Sequence, residues 1–179
     1  MRRIRLLTLL LAVAAVLSTG VAASATSYTE PRSGPRIDGS DWRTEQRTRA
    51  FLRAFEGEDL RAVAAMLSPE VTLTMPITFS GAQEPDTVFV GREQVLGYFE
   101  SVFATMRRID FVDVRVSIVT GGRTSFVEAK GDLSSVDGRP YRNVYVFRFD
   151  WLPDGRIAGG AEYANPITYC QTFPESPAC

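Results

Sequence analysis

Glu128, Glu162, Asn143 and Tyr145 are the residues of this chain whose types and spacing best suit chemistry. Side chains alternate across a strand. The run from Tyr141 to Trp151 therefore sets Asn143, Tyr145, Phe147 and Phe149 on one face, with Val144, Val146, Arg148 and Asp150 on the other. Glu162 and Gly160 face the same side from the next strand if no bulge shifts the register. Glu128 joins them if its strand keeps the phase of Phe126 and Lys130. Two carboxyls, an amide and a phenol would then converge. Burial raises a carboxyl's pKa, and a second carboxyl nearby raises it further, so such a group exchanges protons near neutral pH. The plainer alternative leaves Glu128 paired with Lys130 or an arginine on an exposed face, and Glu162 bound to an arginine or a backbone amide.

The chain has no histidine. That excludes Ser-His-Asp and Cys-His nucleophile systems, histidine metal sites and the usual pH-7 proton shuttle. Proton transfer would fall to carboxylates, tyrosine or the single lysine, Lys130. Two cysteines without histidine make half a zinc site, so neither a metal nor an organic cofactor is expected.

The elements that must position these groups follow from periodicity. Ser40 is read as the cap of a first helix anchored by Trp42, Phe51, Leu52 and Phe55 and ended by Gly57. Asp59 caps a second, with Leu60, Val63, Ala64 and Leu67 on one face. Val71, Leu73 and Met75 alternate with threonines in a strand ended by Pro76, and a polar loop runs to about Thr87. A third helix spans Arg92 to Arg107. Strands follow from Phe111 to Val119, Ser125 to Leu133, Tyr141 to Trp151 and Arg156 to Tyr163, with turns at Gly121-Gly122, Asp137-Gly138 and Pro153-Asp154-Gly155. Helices followed by a long sheet make an α+β arrangement, the helices lying in the sheet's concave face. Phe51, Phe55, Met66, Met75, Phe99 and Phe103 read as core and pocket wall rather than specific contacts.

The N-terminus carries an export pattern. Arg2, Arg3 and Arg5 precede a stretch from Leu6 to Leu17 that is apolar except for Thr8, and Ala23-Ser24-Ala25 supplies a cleavage site after Ala25. An uncleaved membrane anchor is the alternative, since the uncharged stretch is long enough to span. Residues 26–39 read as a flexible linker. Removing 1–25 leaves 17 basic and 21 acidic residues, a net charge of −4 that does not favour nucleic acid. In an oxidising compartment Cys170 and Cys179 can pair; the alternative is two free thiols on a frayed tail.

The order and spacing of several runs resemble a known family. These are Phe55-Glu56-Gly57-Glu58-Asp59-Leu60, Leu67-Ser68-Pro69-Glu70-Val71, Glu128-Ala129-Lys130-Gly131, Asp137 to Phe147, Asp154-Gly155-Arg156-Ile157 and Glu162-Tyr163-Ala164-Asn165-Pro166. Together, over roughly Trp42 to Thr168, they resemble the SnoaL-like group of the nuclear transport factor 2 superfamily. The resemblance implies a cone-shaped, curved antiparallel sheet, with Asn143, Tyr145 and Phe147 facing a single pocket. The superfamily holds isomerases, cyclases, dehydratases, epoxide hydrolases and non-catalytic binding proteins, so fold does not fix function. The ketosteroid isomerase residues would fall at Met75, Phe51 and Tyr145, and none is retained, which removes that mechanism. The last strand is similar to that of phenazine-biosynthesis A/B proteins, which implies acid/base work for Glu162.

These readings combine into one expectation: a secreted α+β domain at 40–169, followed by a disulfide-bonded tail at 170–179. It binds a small apolar or amphipathic molecule without catalysis, using Phe51, Phe55, Met75, Phe99, Asn143, Tyr145 and Phe147. The alternative is a lyase, isomerase or cyclase using Glu162, with Glu128. A membrane partner is expected only if the export signal is retained. A homodimer through the outer sheet face at Val144 and Val146 is implied by the resemblance.

Overall fold

The computed structural model describes residues 39–83 and 87–179, so the expected export signal and all of the linker but Gly39 lie outside the described residues. Helix α1 (Gly39–Glu56) buries Thr44, Thr48, Phe51 and Leu52 along one stripe, the 3.6-residue repeat of a core-facing helix. It starts one residue before Ser40, so that residue lies inside the helix rather than capping it. Asp59 caps α2 (Leu60–Met66) by accepting from the Ala62 amide. Leu67 leaves that helix to open β1 (Leu67–Met75). Strand β2 (Thr87–Val90) and helix α3 (Arg92–Thr105) follow. The remaining strands are β3 (Met106–Arg108), β4 (Phe111–Ile118), β5 (Thr124–Gly131), β6 (Leu133–Ser135), β7 (Pro140–Tyr141), β8 (Val144–Trp151) and β9 (Ile157–Ala164), and α4 (Pro166–Thr172) comes last.

Six strands form one sheet in the order β2-β1-β9-β8-β5-β4, antiparallel except for the β1–β9 pair, and β3-β6-β7 form a smaller one. Register shifts interrupt β4 near Asp113, whose φ is +56°, and the β8–β9 ladder at Asp150–Trp151. Bulges of this kind bend a sheet. The concave face is aromatic: Tyr145, Phe147 and Phe149 stack along β8 at 5.3 and 6.2 Å. From α1, Phe51 meets Phe149 at 5.0 Å, and Phe55 meets Phe99 and Phe103 at 5.1 and 5.0 Å. Burying each such ring contributes roughly 1.5–3 kcal/mol.

The closed end is polar but satisfied. Trp151 Nε1 donates to Ser125 Oγ at 2.9 Å, Thr48 Oγ1 lies 2.9 Å from the same oxygen, and Thr44 Oγ1 donates to the Gly122 carbonyl at 2.7 Å. Gly122 has φ +66°, and a Cβ there would lie 2.9 Å from the Ser40 carbonyl, so the turn needs glycine for both conformation and room.

Beyond the division of two expected strands, which gives β5 and β6 on one side of the Asp137-Gly138 turn and β7 and β8 on the other, three elements differ from the sequence reading. Strand β2 lies at the end of the expected loop, because its four residues, alternately half-buried and exposed, give too short a pattern to read. The last residues of the expected third helix form β3, pairing with β6. Helix α4 crosses the expected boundary at 169/170; Asn165 caps it, accepting from the Ile167 amide, with Pro166 in the first turn. Among the described residues no helix is long and apolar enough to cross a membrane, and no group of three or more acidic or cysteine side chains is arranged to hold a metal.

Candidate functional site

At the open end of the sheet the helices and strands enclose a cavity of about 340 Å³. Phe55, Phe111 and Phe147 border both this cavity and a separate void of about 30 Å³ beneath it, and so form its floor. Met75, Val102, Met106 and Leu133 supply apolar wall, and Tyr98, Tyr141, Tyr145 and Tyr169 add phenols. Ile77, Phe79, Ser101, Thr105 and Ala178 line the cavity and are also exposed, which places them at its rim. The dimensions and the mostly apolar lining suit a small organic molecule.

Glu162 is the one carboxyl among the described lining residues. Strand register puts it there: Phe147 faces Glu162 across the β8–β9 ladder, so the two share the concave side. Tyr98 donates to Glu162 Oε2 at 3.1 Å. Desolvation pushes the Glu162 carboxyl up to about 7, and the Tyr98 bond pulls against that rise. Tyr98 is itself held well above the usual phenol range by burial and then by the Glu162 charge. A carboxyl poised at that level is half ionised near neutrality and can both accept and give a proton.

A second polar group lines the same cavity. Asn143 Nδ2 donates to the Tyr141 hydroxyl at 2.6 Å and to the Asn165 carbonyl at 3.1 Å. Its Oδ1 accepts from the Val144 and Asn165 amides at 2.8 and 3.1 Å. All four capacities of the amide are thus spent on the fold. Burial raises Tyr145 and Tyr141 above the phenol range, and their hydroxyls interact.

The expected site residues are therefore divided. Glu162, Phe55, Met75, Asn143, Tyr145 and Phe147 line the one cavity, Asn143 as a bracket whose bonds are already made. Phe51 and Phe99 do not: they are buried beneath the floor, around the small void, where Phe51 of α1 packs on both Phe99 of α3 and Phe149. Glu128 is also displaced from the expected position. Strand β5 buries Ser125, Val127 and Ala129 and exposes Phe126, Glu128 and Lys130, so Glu128 stands on the outer face opposite Val146. Lys130 pairs with Asp113 at 2.7 Å. The reading that grouped Glu128 with the phase of Phe126 and Lys130 had the phase right and the face wrong.

Tyr98, Tyr141 and Tyr169 were not singled out by sequence. A signal existed for two of them: Tyr98 lies among apolar positions of an amphipathic helix, and Tyr141 has the same strand parity as Asn143 and Tyr145. A phenol on a buried face needs a polar partner. Tyr169 belongs to α4, which periodicity does not reveal. Its ring packs against Phe79 at 5.3 Å and Phe173 at 5.1 Å. Cys170 and Cys179 form a disulfide, and the segment it closes returns Ala178 to the cavity rim. Arg139 fastens the same segment, donating to the Thr172 carbonyl at 2.7 Å and to both Glu175 carboxyl oxygens.

Solved structures share this architecture at low identity, which speaks to fold alone. A candidate isomerase from Bacillus subtilis aligns with TM-score 0.67 and 18% identity, covering 78% of this chain and 98% of its own. A candidate polyketide cyclase from Xanthomonas campestris pv. campestris gives 0.60 and 20%, covering 74% and 98%. A phenazine biosynthesis-related protein from Pseudomonas aeruginosa gives 0.63 and 14%, covering 80% and 91%. Among curated proteins none matches the chain in sequence. The SnoaL-like domain model matches residues 48–159, more than half of the chain and inclusive of the floor residues Phe55, Phe111 and Phe147, so this protein belongs to the SnoaL-like family on the nuclear transport factor 2-like fold.

Proposed function

We propose that the domain binds a small, largely apolar or amphipathic molecule in this cavity, with Glu162 meeting its polar group. The observation that carries the reading is a ligand-sized hollow with aromatic walls in which a single carboxyl keeps one oxygen, Oε1, clear of the Tyr98 bond. Native mass spectrometry of the purified protein, with organic extraction of whatever co-purifies, tests it. A stoichiometric small molecule lost on unfolding supports the reading. Failure to bind any member of a panel of one- to three-ring aromatic compounds counts against it.

A second reading makes Glu162 a general acid/base of a lyase, isomerase or cyclase; its pKa of about 7 favours this. Its signature is hydrogen–deuterium exchange at the acidic C–H of small carbonyl compounds in D2O, followed by NMR. Exchange that Glu162→Gln abolishes supports catalysis; equal exchange in both proteins argues against it.

Two further proposals concern setting. Export with cleavage after Ala25 rests on the N-terminal pattern and agrees with a disulfide at Cys170–Cys179. The intact mass of protein recovered outside the cytoplasm tests it. Homodimerisation through the outer sheet face rests on exposed Val144, Val146 and Phe126. Light scattering of the parent and of Val146→Glu tests it.

A further inference from the structure

The chemistry of the cavity wall is one-sided. Glu162 is an acid in a setting that desolvates it, yet no lysine or arginine is among the described lining residues. The groups facing it from the packed elements are Tyr98 on α3, Tyr141 on β7 and Tyr145 on β8, all phenols that burial keeps protonated. None of them neutralises a carboxylate. The paired arginines lie elsewhere: Arg49 with Glu45, Arg108 with Asp110 and Asp132, Arg139 with Asp137 and Glu175, Arg142 with Asp132, Arg148 with Asp150, and Arg156 with Asp154.

The rest of the wall suits positive charge. Rings of Phe55, Phe79, Phe111, Phe147 and Tyr169 surround the hollow, in addition to the three phenols. Aromatic faces attract cations through their quadrupole, and more strongly where water is excluded. Aromatic rings around one uncompensated carboxyl leave a place for one unit of positive charge on an apolar body. An anion would meet a like charge and no donor cation.

Resting on the binding reading above, we infer that the cavity takes an amphipathic monocation, a protonated or quaternary amine carried on a ring or chain of apolar carbon, with Glu162 as its counter-ion and the surrounding rings as its cage. The cation supplies the partner that the fold withholds, and the carboxyl is then bound as its anion.

The test compares three near-isosteric compounds by calorimetry at pH 8: 2-naphthylmethylamine, 2-naphthylmethanol and 2-naphthoate. At that pH the amine is protonated and the tyrosines facing Glu162 remain neutral. The expected result is that the parent protein binds the amine at least tenfold tighter than the alcohol and the naphthoate weakest. Glu162→Gln then reduces the amine-to-alcohol ratio to about one, and a cooperative thermal unfolding transition reports that the variant is folded. Equal or tighter binding of the alcohol by the parent overturns the inference and leaves the binding reading standing. An amine preference that persists in Glu162→Gln overturns it as well, because the carboxyl is then not the counter-ion. Binding of none of the three overturns both.

Discussion

Tyr98 and Glu162 hold one another across the cavity wall, the phenol on α3 donating to the carboxyl Oε2 on β9 at 3.1 Å. Two effects meet in that contact. Removal from water disfavours the carboxylate, and the phenolic hydrogen bond favours it. Desolvation is the larger, so the group rests at about 7 rather than in the ordinary carboxylate range. The bond also fixes which carboxyl oxygen the phenol occupies.

Glu162 makes the fold lose stability as pH rises toward neutrality. Its carboxyl is raised in the folded state, so the native protein holds a proton that the unfolded chain has released between about pH 4.5 and 7. Stability is fully present below the lower value and is lost as pH rises through the upper one. The full difference is worth about 3 kcal/mol at most, and less to the extent that the cavity admits water. Thermal unfolding of the parent and of Glu162→Gln at pH 5 and pH 8 checks this. The variant is expected to be the more stable of the two at pH 8 and to lose most of the pH dependence across that interval. Parallel profiles for the two proteins would contradict the assignment.

Tyr98→Phe removes the bond without removing the ring, which stacks on Phe89 at 4.8 Å. The carboxyl then loses the one interaction that lowers its pKa, so its midpoint is expected to rise above that of the parent. The stability cost should be about 1 kcal/mol, the net worth of one hydrogen bond. A carbon-13 NMR titration of the Glu162 carboxyl reads the midpoint directly. A midpoint that falls or stays still would show that the phenol does not set it.

Strand alternation put Tyr145 and Phe147 on one face and the family resemblance turned that face toward the pocket; Glu162 joins them because the β8–β9 ladder runs in register until Asp150–Trp151, beyond the site. The same logic misplaced Glu128, since alternation gives a phase but not which phase is concave. Ser125 decides it: a small polar side chain buried under Thr48 and Trp151 needs the inner face, and this sends Glu128 outward. Phe51 and Phe99 could not be told from cavity wall, because a ring beneath the floor and a ring in it have the same periodicity. Helix α4 was written in Asn165-Pro166, a cap followed by a first-turn proline, but its seven residues bury no side chain completely and carry no apolar period.

The division between floor and core has an energetic test. Phe51 is 4% exposed and meets Phe55, Phe99 and Phe149, so Phe51→Ala is expected to cost roughly 3–5 kcal/mol. Met75 faces a hollow that already exists, so Met75→Ala enlarges a cavity rather than creating one. Its cost is expected to fall below the roughly 2–5 kcal/mol of a fully buried methionine. Urea unfolding of the two variants measures the gap, and equal losses would place both residues in the same environment.

Asn143 was expected to contact ligand, and its bonds assign it a different duty. It joins β8 to the start of α4, receiving the Asn165 amide and returning a donor to the Asn165 carbonyl, while holding Tyr141 in the wall. Asn143→Ala takes a partner from the buried Tyr141 oxygen and from the half-buried backbone bonds of Asn165 and Val144. Each unsatisfied group costs about 1–3 kcal/mol, so the loss should exceed that of Tyr98→Phe. It should also be local. Asn165 caps α4, and the segment beyond remains tied to the rest of the domain by Arg139. Hydrogen exchange is therefore expected to quicken at residues 167–172 while the amides of β5 keep their protection. Uniform loss of protection across both would mean that Asn143 supports the whole sheet. Unchanged exchange in α4 would mean that the bracket is not what holds the helix over the cavity.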